Sequence, residues 1–284
     1  MKLVPRIGIR NPRARSTIAF TLVELMVSML VLTLVLGLLF QIFSGTVGAT
    51  QNSHRQMAAT RQARMVLDPL RKDLQSIVSQ GEAGTVYVKP DPQNCTLAFI
   101  TRNRGPQGVA DLRFLAVAYV LTGTEVTRKS NPVTWTQADL MTQALSAVSA
   151  TTITPLSGNI VRWQFMAVLD NGNTVPLTTA GSWRLDKVQD TPVPGGFYAL
   201  RLADGVVSSA EPKVRSLIVA VAAVDESILR LPNTTNLSTA LTEPPANKTP
   251  HETWSGLINA GALNSFPVQT VSTMRIVQVT LPLR

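Results

Sequence analysis

Few residues of this 284-residue chain are of the types that do chemistry. The histidines are His54 and His251, and Cys95 is the one cysteine. His251-Glu252 is not followed by the second histidine that a zinc-protease helix needs. Gly181-Ser182-Trp183 lacks the spacing of a nucleophile elbow, and no Gly-Lys-Ser/Thr phosphate loop occurs. A single cysteine cannot build a four-cysteine metal site, and in the setting Cys-Thr-Leu-Ala-Phe it reads as a small apolar side chain packed inward from a strand. Asp225-Glu226 reads as a solvated turn in preference to an acid/base dyad. The expectation is a protein that is not an enzyme and needs no cofactor or metal. The residue that most requires a chemical explanation is Glu24. It is the one ionisable side chain in the 24-residue apolar run Phe20 to Phe43, FTLVELMVSMLVLTLVLGLLFQIF.

As a helix that run reaches about 36 Å, enough to cross a hydrocarbon core of about 30 Å with some tilt. A carboxylate inside such a span costs about 2.5–3.5 kcal/mol at its centre and less near an interface, so it needs a partner. The run contains no Lys, Arg or His. Cleavage between Ala19 and Phe20 would create one, because a new α-amino group has a pKa near ~8 and is largely cationic at neutral pH. That cation would lie one helical turn from Glu24, and on a neighbouring helix it could pair with Glu24 across the interface. Upstream stand Lys2, Arg6, Arg10, Arg13 and Arg15, with no acid among the first 19 residues. Such a flank holds the N-terminus in the cytoplasm and sends the remainder across the membrane. An uncut signal anchor, with Glu24 snorkelling to the interface or protonated, is the plainer alternative.

The residues Ala-Phe-Thr-Leu-Val-Glu-Leu-Met-Val at 19–27 resemble the processing site of type IV prepilins and of the pseudopilins of type II secretion. The resemblance implies that a prepilin peptidase cuts before Phe20 and methylates its amine, and that Glu24 is the assembly residue. It also implies sibling pilin-like subunits as partners, met through the N-terminal helix. Ala19 departs from the Gly usual at that position; a small side chain still fits a tight subsite, so slower cleavage is expected.

The formal charge is +9, and removal of the first 19 residues leaves +4. From Gly81 onward 16 bases face 14 acids, with no dense basic patch, so no nucleic-acid partner is expected. Arg55, Arg61, Arg64, Arg71 and Lys72 read as lying near lipid headgroups or on a solvated helix face.

The chain divides by pattern into a basic leader (1–19), a transmembrane helix (20–43), an amphipathic continuation (44–80) and a β-rich domain (81–284). Gly45 and Gly48 suggest a soft point beyond the apolar run. Val66, Leu70, Leu74, Ile77 and Val78 recur at spacings of three and four, one stripe of a helix with Arg71, Lys72 and Asp73 mainly off it. A bend is expected near Pro69 and a C-cap at Gly81. Strands are expected at 85–88, 96–101, 114–121, 160–169, 174–177, 197–202, 215–224 and 274–281, and a short helix at 138–148. Asp170-Asn171-Gly172-Asn173 predicts a hairpin turn, with a calcium loop as the lesser alternative. Residues 231–255, rich in Pro, Thr and Asn, read as an extended surface loop. The Asn-x-Ser/Thr triplets at Asn233, Asn236 and Asn247 carry no assigned glycan. The fold class is α+β: a long N-terminal helix, membrane-spanning in its first half, packed on a mainly antiparallel β domain.

Two stretches are similar to the J-type minor pseudopilins of type II secretion. One is Phe114 to Leu121 with Tyr119, followed by a basic turn at Arg128-Lys129. The other is Val161 to Gly172, then Trp183, then Val214 to Val221. That resemblance implies a helix against two small antiparallel sheets and a place at a pseudopilus tip. The C-terminal strand from Met274 and the Pro-rich insertion have no counterpart in it. The expected role is therefore a minor pilin-like subunit of the bacterial inner membrane, single-pass, with a periplasmic C-terminal domain. The alternative is a membrane-anchored binding protein that does not assemble, with Trp135, Trp163, Trp183 and Trp254 as candidate contacts or as core.

Overall fold

The computed structural model describes residues 21–78, 85–89, 96–104, 112–133, 140–177, 198–201, 214–231 and 236–282. Its compact units are residues 1–51 and 52–284. Helix α1 (Leu22–Gln75) supplies residues to both. After it come β1 (Thr85–Lys89), β2 (Thr96–Arg104), β3 (Leu112–Thr122) and β4 (Glu125–Pro132). Helix α2 (Leu140–Ser146) follows, continued as a 3-10 turn over Ala147–Ser149, then β5 (Thr152–Ser157), β6 (Ile160–Leu169) and β7 (Thr174–Pro176). The chain ends through β8 (Tyr198–Arg201), β9 (Val214–Ala223), helices α3 (Glu226–Leu229), α4 (Leu237–Ala240), α5 (Pro250–Asn259) and α6 (Val268–Thr273), and β10 (Arg275–Pro282).

The strands form a six-stranded sheet, β5-β4-β3-β2-β1-β8, and a four-stranded sheet, β10-β9-β6-β7, in which every pairing is antiparallel. The class is α+β, a helix packed on sheets. One core is built by α1 (Ala59, Ala63, Val66, Leu70, Leu74), the first sheet (Phe99, Val117, Tyr119) and the second (Trp163, Phe165, Val219). The other face of the six-stranded sheet packs on α2, and that of the four-stranded sheet on α3 to α6. Because both its faces are covered, β6 is buried at nearly every position, and its sequence is a continuous apolar run broken by Arg162 and Gln164. Arg162 donates from Nη1 to the Ser238 carbonyl at 3.0 Å, which ties the segment before α5 to the sheet.

Tyr119 is the joint of the domain. Its ring stacks on Phe99 with centroids 6.3 Å apart and meets Trp163 of the other sheet edge-on at 6.2 Å. Its hydroxyl donates to Asp73 Oδ2 on α1 at 2.7 Å, and Arg128 Nε of β4 donates to the same oxygen at 2.7 Å. The Arg128 and Asp73 side chains are only 17% and 15% exposed, so water compensates poorly if either is lost. Asp73, which falls mainly off the apolar stripe, is thus a partly buried tether.

Other expectations are corrected as well. Arg128 and Lys129 are not a turn: they lie in β4 opposite Tyr119 and Ala118, and the reversal is at Gly123, whose φ is +63°. β4 and β5 escape the hydrophobic pattern because tertiary bonds hold their polar side chains; Lys129 Nζ donates to the Val148 carbonyl at 2.9 Å, and Ser157 Oγ donates to Gln62 of α1 at 2.8 Å. Helix α1 stops at Gln75, not 80, because Ser76 to Val78 take the place on β2 beyond the last paired residue of β1. Arg102 N donates to the Ser76 carbonyl and Val78 N to that of Ile100. Gly81 lies outside the described residues. The helix runs unbroken through Gly45, Gly48 and Pro69.

The hairpin at Asp170–Asn173 forms as expected, with Gly172 at φ +85° and Asn173 N donating to Asn171 Oδ1 at 2.9 Å. Residues 231–255, by contrast, are not simply an extended loop: they contain α4 and the start of α5. Thr249 and Glu252 form a reciprocal capping box with Pro250 in the first turn, and those backbone and hydroxyl bonds hold the Glu252 carboxyl below its usual range. Leu237, Leu241 and Trp254 from this stretch are buried. Asn247, at φ +64°, covers the edge of β7 through bonds to both backbone groups of Thr174.

Asp73→Ala should lower the stability of the full chain in detergent by about 2 kcal/mol, read as a lower urea midpoint. An unchanged midpoint would show the tether to be idle. Burial, then the Asp73 charge, pushes the Tyr119 phenol well above its usual range. Below the unfolded tyrosine pKa of about 10 both states hold the proton; above it only the unfolded chain releases it. Stability should therefore fall as pH rises past about 10, by up to ~1.4 kcal/mol per unit. Tyr119→Phe should flatten that decline in urea titrations, and parallel declines in parent and variant would contradict the assignment.

Candidate membrane-spanning and assembly helix

Within the first unit, α1 exposes 17 large apolar side chains between Leu22 and Phe43, from 45% at Val35 to 74% at Leu22 and Phe40. None of its most apolar stretch is buried, and this is a helix long and apolar enough to cross a membrane. A water-facing helix would confine its apolar residues to one face, whereas here they go all round.

The polar residues of this stretch are mostly satisfied by the helix itself. Ser28 Oγ donates to the Glu24 carbonyl at 2.7 Å and Thr33 Oγ1 to that of Leu30 at 2.8 Å. Further along, Ser44 bonds the Gln41 carbonyl at 3.0 Å and Thr46 that of Ile42 at 2.9 Å. Such back-bonding lets hydroxyls enter a medium that offers no hydrogen-bond partner. Between Leu22 and Phe43 the polar side chains left without a bond among the described residues are Glu24 and Gln41.

Glu24 stands in the first turn of α1, where a carboxylate is favoured by the free N–H groups of the helix start. The residue that fixes that start is one the apolar pattern does not mark. Thr21 Oγ1 accepts from Glu24 N at 3.2 Å, so Thr21 is the cap. Thr21-Leu22-Val23-Glu24 has the spacing of a capping box, and that pattern could have placed the first turn. The bond engages the backbone of Glu24 and leaves its carboxylate exposed at the helix surface. Ala19 and Phe20, the expected cleavage and methylation residues, lie outside the described residues.

The other candidates resolve as structure. Asp225 caps α3, its Oδ2 accepting from Ser227 N at 3.3 Å, and Glu226 pairs with Arg230 at 2.6 Å on the surface. Trp163 and Trp254 are 1% and 0% exposed, so neither offers a contact surface; Trp135, Trp183 and Cys95 lie outside the described residues. His54 is exposed on α1 and His251 on α5. Among the described residues no three of His, Cys, Asp or Glu gather into a group that could hold a metal ion.

No family model, no curated protein and no solved structure matches this chain.

Proposed function

We propose that this chain is a minor pilin-like subunit, a pseudopilin, that inserts in the inner membrane with its N-terminus cytoplasmic and its β domain periplasmic. A prepilin peptidase removes residues 1–19 and methylates the Phe20 amine. The apolar helix then leaves the bilayer laterally into a pseudopilus or pilus tip that serves secretion or surface-fibre biogenesis. In that filament Glu24 meets the Phe20 ammonium of a neighbouring subunit. The observation that carries this reading is the Glu24 carboxylate, displayed without a partner among the described residues on a helix whose surroundings are otherwise apolar. A charge pair across a helix interface removes the cost of that carboxylate in lipid, and it does so only when the second helix is there. Of the four tryptophans that the non-assembling receptor reading offers as contacts, Trp163 and Trp254 are buried, and Trp135 and Trp183 lie outside the described residues.

Glu24→Ala should leave insertion and leader removal intact and abolish incorporation, measured by recovery of the variant in sheared filament or cross-linked sibling fractions. Normal incorporation would remove the pairing mechanism. Ala19→Gly should raise the rate of leader removal in a pulse-chase assay, since Gly relieves the peptidase subsite of a methyl group. Absence of a cleaved form with either residue would sink the prepilin reading.

A further inference from the structure

The second unit carries an open groove of about 800 Å³ that the proposed function does not use. Its floor is the face of α1 opposite the core stripe. Ser53, Met57, Thr60, Arg64 and Asp68 line it at steps of three and four, while Ala59, Ala63, Val66 and Leu70 are buried behind. One wall is Pro155 and Leu156 of β5, the edge strand of the six-stranded sheet; the other is Arg275, the first residue of β10, the edge strand of the four-stranded sheet. The floor from Ser53 to Pro69 is about 24 Å long.

Charge and shape limit what fits there. Arg61, Arg64 and Arg275 line the groove, and among the described residues none of their guanidinium groups has a hydrogen bond or an ion pair. Asp68 is the one acid among the described residues of the lining. Between these charges Met57 and Met65 are 57% and 44% exposed, flexible apolar surface that adapts to a partner. An added strand is disfavoured at the β5 wall, where Pro155 has no N–H to offer a ladder. A helix suits the floor, because ridges spaced by three and four residues interlock with those of another helix.

We infer that this groove docks an amphipathic helix of a partner protein, one whose apolar stripe is flanked by Glu or Asp. The stripe covers Met57, Met65 and Leu156, and the carboxylates meet Arg61, Arg64 and Arg275. The inference concerns the second unit alone and does not depend on cleavage at Ala19 or on Glu24.

The test uses the full chain in zwitterionic nanodiscs and two synthetic helical peptides of about 18 residues, long enough to span the floor. They share one leucine stripe and differ in carrying Glu or Lys beside it; anisotropy is measured with binding to empty nanodiscs subtracted. The Glu peptide should bind more tightly than the Lys peptide. Arg61→Glu/Arg64→Glu should weaken it by about tenfold or more and shift preference to the Lys peptide. Arg71→Glu, on an exposed position of α1 outside the groove, should leave binding unchanged. Equal binding of the peptides, no binding of the Glu peptide, or indifference to the double reversal would overturn the proposal. Recruitment to phosphatidylglycerol nanodiscs through Arg61 and Arg64, without response to the Glu peptide, would assign these arginines to lipid and overturn it too.

Discussion

A helix with 17 large apolar side chains exposed over Leu22 to Phe43 has to find a medium other than water. At about 1.5 kcal/mol or more for each such side chain removed from water, the driving force is some tens of kcal/mol. That exceeds the ~5–15 kcal/mol by which a typical domain is folded at all. Everything else about the first unit follows from this constraint. The hydroxyls bond back to their own helix, Thr21 closes the first turn, and Glu24 stands out as the side chain that an apolar medium alone would not accommodate.

The same helix meets a different demand from Ala59 onward, where one stripe is core and the opposite face is polar. There it is held by specific bonds as well as by packing. Asp73 receives Tyr119 and Arg128 on one oxygen, and Gln62 receives Ser157. Tyr119 links this tether to the aromatic row of Phe99 and Trp163, so helix and both sheets share one cooperative core. Grouping of the outer face of α1 with the ends of β5 and β10 then produces a recess whose arginines have no ion pair among the described residues. The first surface is apolar all round and the second is lined by arginines, and helix binding is the role proposed for each.

Apolar runs made much of this visible in the sequence. β6 and β9 read plainly because both their faces are buried, and the hairpin after β6 because Asn171 and Gly172 suit a tight reversal. β4 did not, since Arg128 and Lys129 are held by Asp73 and a distant carbonyl that no local pattern reveals. The helix at Pro250 was hidden by its own composition, although Thr249-Pro250-His251-Glu252 carries the capping signal. Glu24 was legible from contrast with its neighbours, whereas the groove was not: it joins α1 to residues about a hundred and two hundred positions away, and only the fold brings them together.

The most direct measurement is the intact mass of the full chain extracted from cells that express it. The expected species begins at Phe20 and is heavier than the unmodified polypeptide by one methyl group, placed on the terminal amine by fragmentation. A species that retains residues 1–19, or one that begins at Phe20 with an unmodified amine, would contradict the proposed processing. Retention of Met1 to Ala19 would leave Glu24 without the cation that the proposed assembly requires.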